Sequence, residues 1–336
     1  MVFRKITIKT PNEATAMSNQ NKYYITQNEL ASLFDITPQA AATHIKKESI
    51  QTFKTGNKTS LSSNSTRQFM ESRGYSYKSQ VLAFQMLKGG STKTSSAYNL
   101  AVRLNNYGAR VLVIDLDMQG NMTDAFGVEI TDESVFYHIA TNEASIEETI
   151  IPISDGLDLI PSDFENSVIE NLIVNSRKNL QTFIKNEIDK VRDNYDYIII
   201  DCNPALSALN ISIALACDTL LIPVNPDKFS EKGLKVVLSE IERVAEDYKK
   251  KIKFKLLFTL YDGREAISQK YLIKYGSEYE DHLISSLIRR NADVKNAIDQ
   301  KKSIFDFKRA PAREDFDLFA QEILGIRNIS ESEIRR

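Results

Sequence analysis

The sequence has little of three features that would place a protein in a specialised class. Only two cysteines occur in 336 residues, Cys202 and Cys217, and they are too few for a disulfide framework and lack metal-ligand spacing. The 43 basic and 45 acidic side chains leave a net charge of −2, so any binding to nucleic acid must come from a local patch. No apolar run approaches the length of a membrane span, and the polar N-terminus has no signal-peptide core. We therefore expect a soluble, cytoplasmic protein of about two domains.

From about residue 79 onward, short apolar runs alternate with segments of helical periodicity. The runs are VLAFQM, RVLVIDLD, GLDLIP, YDYIIID, TLLIPV and FKLLFTL. Strands that are apolar on both faces belong to a parallel sheet that helices cover on both sides. The pattern predicts an α/β fold with a doubly wound, mostly parallel sheet, preceded by a small α-helical domain. The predicted segments are an arm (1–22), a helix-turn-helix (23–50), a linker or wing with a short helix (51–78), the α/β domain (79–326) and a tail (327–336).

A glycine-rich segment, Lys88-Gly89-Gly90-Ser91-Thr92-Lys93-Thr94, lies between the first of these strands and an amphipathic helix. This is the setting of a phosphate-binding loop, because a helix N-terminus presents free N–H groups to an anion. The segment departs from the usual pattern G-x-x-x-x-G-K-[ST], since Leu87 and Thr92 stand where that pattern has glycine. Lys93 would contact the β- and γ-phosphates, and the Thr94 hydroxyl would bind Mg²⁺. A glycine-rich turn without a ligand is the alternative that the loop alone leaves open.

Acidic residues follow two of the later strands. Asp115 and Asp117 close the run RVLVIDLD, and Asp201 closes the run YDYIIID. The carboxyl ends of parallel strands are the places where α/β proteins build their sites. Asp201 has the position of a Walker B acid, which holds Mg²⁺ directly or through water. Each aspartate alone could be an ordinary strand-end residue, but together with the loop they favour a nucleotide site.

Four motifs occur in the order K-G-G-x-x-K-T, D-L-D-x-Q-G-N, Y-D-x-I-I-I-D-C-x-P and L-I-P-V-x-P-x-x-x-S-x-x-G-L. They resemble the deviant Walker A ATPases of the ParA and MinD class, and most closely the ParA partition proteins, over about residues 80–325. The resemblance implies Mg²⁺-dependent ATP hydrolysis, an ATP-dependent homodimer, binding to nucleoid DNA and stimulation by a ParB-like centromere-binding protein. No membrane partner is expected, because the C-terminal GIRNISESEIRR has no apolar face.

The resemblance also assigns roles to residues. Lys88 matches the lysine that crosses the dimer to the partner's phosphates and Asp117 the acid that orients the attacking water, so these two are the expected catalytic residues. The expected ATP-binding residues are Lys88, Gly89, Gly90, Ser91, Thr92, Lys93, Thr94 and Ser95, and the expected metal ligands are Thr94 and Asp201. Thr92 and Asn203 replace the family's usual glycine and proline. A non-glycine residue is strained where φ must be positive, so Thr92 puts turnover in question more than nucleotide binding.

The segment ELASLFDITPQAAATHIKK has the spacing of a helix-turn-helix. Asp35 takes the turn, where a left-handed conformation suits Gly, Asn or Asp, and Thr37 caps a second helix that Pro38 opens. The candidate DNA contacts on this second helix are Gln39, Ala40, Thr43 and Lys46. A plain helical hairpin is the alternative. Longer ParA proteins carry such a module, which implies specific binding to the operator of their own operon and its repression.

A local basic cluster near the C-terminus is the candidate for non-specific DNA binding. Its members are Arg289, Arg290, Lys301, Lys302, Lys308 and Arg309. A solvated charged face is the alternative, because acids lie among these residues. Two other functions are alternatives at this point. One is a nucleotide-sensing transcriptional repressor with little ATP turnover, which Thr92 supports. The other is a MinD-like ATPase that cycles on membranes, but it needs an amphipathic terminal helix and GIRNISESEIRR has no apolar face.

Overall fold

The computed structural model describes residues 22–87, 89–90, 92–307 and 310–326. Some of the predictions therefore lie outside the described residues. They concern Lys88, Ser91, Lys308, Arg309, the arm up to residue 21 and the tail 327–336. The helices are α1 Gln27–Leu33, α2 Pro38–Lys47, α3 Ser63–Ser72, α4 Lys93–Asn106, α5 Asn121–Phe126, α6 Phe136–Thr141, α7 Ile146–Thr149, α8 Ile169–Asn175, α9 Leu180–Val191, α10 Ala208–Ala216, α11 Lys228–Asp247, α12 Ala266–Glu278, α13 Ala292–Asp299 and α14 Ala312–Leu324. The strands are β1 Ile25–Thr26, β2 Phe53–Thr55, β3 Lys58–Leu61, β4 Gln80–Phe84, β5 Val111–Asp115, β6 Ile151–Ser154, β7 Leu157–Ile160, β8 Tyr197–Asp201, β9 Thr219–Val224, β10 Phe254–Tyr261 and β11 Leu283–Arg289.

In the part of the chain that the structure describes, eight strands form one sheet in the order β11-β10-β9-β4-β8-β5-β7-β6. Neighbouring strands run parallel, except that β6 runs antiparallel to β7. The six apolar runs of the sequence become β4, β5, β7, β8, β9 and β10, which confirms the doubly wound, mostly parallel fold. The sequence pattern does not predict β6, because its sequence IPIS has only four residues and, besides Pro152, only two apolar side chains.

Helices cover both faces of this sheet. Alternate residues of β4 point to opposite faces, so Leu82 and Phe84 pack into one apolar cluster while Val81 and Ala83 pack into the other. The first cluster includes residues of α4 and α14, and the second includes residues of α9, α10, α11 and α12. Helix α4, which follows the glycine-rich loop, is buried along nearly its whole length.

The N-terminal module contains α1, α2 and α3 together with an antiparallel sheet in the order β1-β3-β2. The sequence pattern predicted a small α-helical domain, but the module also contains this sheet and is therefore not purely α-helical. The difference comes from the linker-or-wing segment, which folds as a two-stranded hairpin with Gly56 at its turn, where φ is +59°. The turn between α1 and α2 has the predicted geometry, with Asp35 at φ +49° and the Thr37 hydroxyl accepting a hydrogen bond from the Ala40 N–H at 3.1 Å.

The N-terminal module and the α/β fold share one apolar core. Ile25, Leu30 and Phe69 of the module lie in the same cluster as residues of α4 and α14. Polar contacts reinforce this packing along α4. The Tyr23 and Tyr98 hydroxyls lie 3.1 Å apart, the Asn106 side chain donates to the Tyr24 carbonyl at 2.9 Å, and the Arg103 guanidinium lies 3.5 Å from the Glu29 carboxylate. Removal of the module would therefore expose apolar surface of the α/β fold.

Candidate nucleotide site

Three neighbouring strands bring the predicted site residues to one edge of the sheet. In the strand register, Asp201 at the end of β8 pairs with Phe84 at the end of β4 and with Asp115 at the end of β5. The glycine-rich loop follows β4, and Asp117 follows β5 by two residues. The loop and the three aspartates therefore meet at the carboxyl edge of the sheet, where sites in this class of fold are built.

Thr94 and Asp201 form the contact at the centre of this edge. The Thr94 hydroxyl donates to Asp201 Oδ2 at 2.6 Å. Asp201 is fully buried, and its Oδ1 has no hydrogen-bond partner among the described residues. A buried carboxylate oxygen without a partner is unusual in a folded protein, and it fits a site that takes up a cation. A hydroxyl and a carboxylate are hard oxygen ligands of the kind that Mg²⁺ prefers, so the residues present fit this ion.

The described residues contain no group of three or more His, Cys, Asp or Glu side chains that could hold a metal ion by themselves. This agrees with Mg²⁺ sites in phosphate-binding proteins, where one or two protein ligands are completed by water and substrate phosphates.

The electrostatics of the site also favour an added cation. Burial raises the pKa of Asp201, and the neighbouring Asp115 carboxylate raises it further, while the Thr94 hydrogen bond and the Lys93 charge oppose the rise. Burial likewise raises the pKa of Asp115, against hydrogen bonds from Thr123. Two carboxylates buried side by side disfavour each other's charged form. Lys93, which is only 6% exposed, supplies one compensating charge.

The glycine-rich loop has a backbone conformation that favours glycine at the position where Thr92 replaces it. Thr92 caps the N-terminus of α4 with φ +66° and ψ +15°, in the left-handed region. Gly90 has φ +72°, and a Cβ built on Gly89 or Gly90 would meet no described atom within 4 Å. The open space in front of these glycines leaves room for a ligand at the N-terminus of α4. The positive φ of Thr92 is the strain that the sequence predicts, because a β-branched residue rarely adopts this conformation.

Replacing Thr92 by glycine should relieve this strain. We expect the free energy of unfolding to rise by about 1 kcal/mol and the rate of ATP hydrolysis to increase. Thr92→Ala is the matched control, because it removes the branch but keeps a Cβ in the left-handed region and should gain less. Thermal unfolding and steady-state hydrolysis measure the two effects. A glycine variant less stable than the alanine variant would contradict the prediction.

The loop that carries Asp117 is held tightly. The Asp117 N–H donates to Asp115 Oδ1 at 3.1 Å, and Asp117 Oδ1 accepts from the Gln119 N–H at 3.1 Å. Gly120 follows with φ +60°, and a Cβ at this position would lie 2.8 Å from the Ser162 carbonyl oxygen. The acid therefore lies on a fixed turn that only glycine can complete.

Most of the described residues of the predicted site come together at this edge. Gly89, Gly90 and Thr92 form the loop, while Lys93, Thr94 and Ser95 form the first turn of α4, where the Ser95 hydroxyl donates to the Thr92 carbonyl at 3.1 Å. The roles of Lys88 and Ser91 stay predictions. Sequence reasoning missed Thr123, Ser162 and Asn166, which surround the Asp117 loop. Neutral polar residues scattered along the chain give no local pattern that could reveal them.

The predicted C-terminal basic cluster is largely paired with acids. Arg289 lies 2.6 Å from Asp315 and 3.0 Å from Glu314. Arg290 lies 3.1 Å from Glu265, and Lys301 lies 3.1 Å from Asp124, while Lys302 is exposed. DNA phosphates would have to compete with these carboxylates, so the use of this cluster on DNA stays a prediction.

A second basic surface, which we call the α11–α12 lysine patch, was missed by the sequence reasoning. It consists of Lys228, Lys232, Lys235, Lys270 and Lys274 around a surface cavity of about 330 Å³. Glu231 at its centre pairs with Lys235 at 3.1 Å and with Lys274 at 2.7 Å. The spacing of 228, 232 and 235 places three lysines on one face of the helix. This basic pattern is hard to recognise in the sequence, because acidic residues follow later in α11. On the N-terminal module, the predicted contacts Gln39, Ala40, Thr43 and Lys46 are all exposed on α2.

Comparison with solved structures supports this description of the fold. An ATP complex of a McdA variant from Cyanothece superposes with a TM-score of 0.68 at 21% identity, covering 76% of this chain and 100% of that one. Cobyrinic acid a,c-diamide synthase from Mycobacterium smegmatis, with a bound ATP analog and magnesium, gives a TM-score of 0.65 at 23% identity over 73% and 94% of the two chains. The sheet order, the glycine-rich loop and the strand-end acids are those of a P-loop ATPase.

Sequence comparison identifies the family. A family model described as an AAA domain matches residues 79–254. The chromosome partitioning protein ParA of Caulobacter vibrioides is 30% identical over 253 residues, which covers 73% of this chain and 94% of the relative. The chain belongs to the ParA family of ATPases. Among the described residues, no helix has the length and apolar composition needed to cross a bilayer.

Proposed function

We propose that this chain is a DNA-partition ATPase that binds ATP and Mg²⁺ at the carboxyl edge of the sheet. The observation that carries the proposal is the Thr94–Asp201 contact, with its unpartnered carboxylate oxygen, next to Lys93 and on the same edge as Asp117. Two related folds support the cofactors, since one structure is an ATP complex and the other holds an ATP analog and magnesium.

Each residue of the site has a defined task in this proposal. The Lys93 ammonium and the N–H groups at the start of α4 bind the phosphates, while Thr94 and Asp201 would hold Mg²⁺. Bound Mg²⁺ supplies neutralisation of the phosphate charge. Asp117 orients the attacking water through its carboxylate. Phosphoryl transfer requires chiefly positioning and charge neutralisation, and these residues with Mg²⁺ would supply both.

Exposed apolar side chains support an ATP-dependent homodimer. Met118, Phe164, Leu206, Phe229 and Ile267 are exposed, and they follow the ends of β5, β7, β8, β9 and β10 respectively. All five therefore lie near the edge that carries the site. Exposed apolar groups collected on one surface indicate a partner. A second copy of the chain, facing this edge, would cover them and bring Lys88 of each chain towards the phosphates bound by the other.

Hydrolysis rates give the most direct test of the proposed function. ATP turnover should be slow for the protein alone and should rise when random-sequence DNA and the protein encoded next to this gene, tested as the ParB-like partner, are both added. The second candidate, a nucleotide-sensing repressor with little turnover, is favoured by the strained Thr92. Operator binding in ADP, with negligible hydrolysis under every condition, would support that candidate.

DNA binding should occur in two separable modes. The non-specific mode should need ATP and basic side chains, and it should weaken steeply with salt because the release of counterions gains less free energy at higher salt concentration. The C-terminal basic cluster and the α11–α12 lysine patch are the candidate surfaces for this mode. The specific mode should use α2 of the N-terminal module. Because the module shares its core with α4, point substitutions test this better than a deletion.

Gln39→Ala should weaken binding to DNA from upstream of the gene by about 1–3 kcal/mol if the amide is bidentate to a base. Binding to random-sequence DNA in ATP should not change, because phosphate contacts position the protein while base contacts specify the site. Gln181→Ala is a matched control, since Gln181 is an exposed glutamine on α9. Affinity measurements on both DNAs decide the outcome. An equal loss on the two DNAs would mean a single DNA surface.

A further inference from the structure

Ser162, two residues after β7, is bonded to the loop of the proposed catalytic acid. Its side-chain hydroxyl donates to the Asp117 carbonyl oxygen at 2.7 Å. The Asn166 side chain donates to the same hydroxyl at 2.7 Å, and Asn166 Oδ1 in turn accepts from the Tyr137 N–H at 2.9 Å. Ser162 is only 2% exposed, so water cannot replace these bonds easily.

Ser162 also contacts the neighbouring side of the same loop. Its N–H donates to the Thr123 hydroxyl oxygen at 2.9 Å, and that hydroxyl donates to Asp115 Oδ2 at 2.8 Å. The Ser162 carbonyl approaches Gly120 so closely that a Cβ there would lie 2.8 Å away. The side chain, N–H and carbonyl of one residue thus contact the turn of residues 115–123 at three places.

We propose that Ser162, held by Asn166, is a positioning residue for ATP hydrolysis, which fixes the main chain of Asp117 and through it the direction of the carboxylate. The inference rests on the proposed role of Asp117 as the acid that orients water. Displacement of a catalytic group by about 1 Å can reduce a rate by about 100-fold, so a bond to the backbone of the acid bears directly on turnover.

The geometry separates this role from nucleotide binding. Lys93 and Thr94 lie on α4 and Asp201 lies on β8. The hydrogen bonds described here for Ser162 and Asn166 go to none of these three residues. Loss of the Ser162 hydroxyl should therefore disturb the acid and leave the phosphate-binding residues in place. A residue with only a general structural role would instead lower nucleotide affinity and stability together.

The test compares single substitutions in the full chain. Ser162→Ala should lower kcat at least 10-fold while the KM and the dissociation constant for ATP change less than twofold. Ser162→Thr, which keeps the hydroxyl, should retain most of the turnover. Asn166→Asp removes the amide donor and should give a smaller loss than Ser162→Ala. Ser154→Ala on β6 is the control, because the Ser154 hydroxyl is buried without a hydrogen-bond partner among the described residues.

Two results would overturn the inference. One is a Ser162→Ala kcat equal to that of Ser154→Ala, and the other is a loss of ATP affinity and melting temperature in proportion to the loss of kcat. Asp117→Ala distinguishes this failure from a failure of the proposed function. If Asp117→Ala is inactive while Ser162→Ala is fully active, only the positioning role is wrong. If Asp117→Ala hydrolyses ATP normally, the assignment of the acid is wrong.

Discussion

Lys93→Ala should weaken ATP binding by at least about 100-fold, or ~3 kcal/mol, the value of a lost charge-assisted contact in a buried site. Lys93 is buried at the N-terminus of α4, close to the Asp201 carboxylate. Without its ammonium group, the phosphates would approach buried carboxylates with no fixed positive side chain between them.

Titration with a fluorescent ATP analogue measures the Lys93 effect directly. Lys251→Ala, at an exposed lysine outside the site, is the control and should bind as the unmodified chain does. The melting temperature should be measured for both variants, so that misfolding is not mistaken for loss of affinity. Unchanged ATP affinity in a folded Lys93→Ala protein would remove the assignment of the nucleotide site.

Asp117→Ala should have the opposite effect to Lys93→Ala: it should keep ATP binding and dimerisation and stop hydrolysis. Correct placement of a catalytic acid or base contributes about 10²–10⁴-fold to a rate, so kcat should fall by that factor. Asp117 is only 8% exposed and lies on the turn after β5, whereas the phosphate-binding N–H groups belong to α4. The ATP-bound protein should then accumulate on DNA.

Single-turnover phosphate release and equilibrium ATP binding, measured on the same sample, separate the two effects. Asp117→Asn is a useful companion, because its amide oxygen can still accept from the Gln119 N–H that binds Asp117 Oδ1. Both variants should be inactive and both should bind ATP. Normal turnover in either variant would show that Asp117 is only a strand-end residue.

Local sequence patterns were sufficient for much of the fold. Apolar runs locate the parallel strands, and the turn chemistry of Asp35 and Thr37 gives the start of α2, because each depends on neighbours in sequence. Thr92 is informative for the same reason. Its left-handed φ could be predicted from a single substitution at a glycine position of the loop.

The remaining features depend on contacts between distant segments. Asp117 and Ser162 are 45 positions apart in the sequence, and no pattern in the sequence between them predicts their hydrogen bond. Pairing of Arg289 with Asp315 joins β11 to α14, so a basic cluster in the sequence becomes a set of ion pairs in the fold. The packing of the N-terminal module on α4 could not be predicted from the sequence either, because the apolar residues of both segments have the pattern of ordinary core residues.

Helix α4 contacts the N-terminal module and also carries residues of the nucleotide site, and this limits where residues can be inserted into or deleted from the chain. The helix has 14 residues and is about 20 Å long, with Lys93 and Thr94 in its first turn and Arg103 and Asn106 near its end. Each residue of an α-helix advances the side-chain direction by about 100°. Insertion or deletion of a single residue in α4 would therefore turn the contacts to Glu29 and Tyr24 away from the N-terminal module while the loop stayed in place. Length variation in this chain should thus be confined to surface loops, and α4 should keep its register between its two ends.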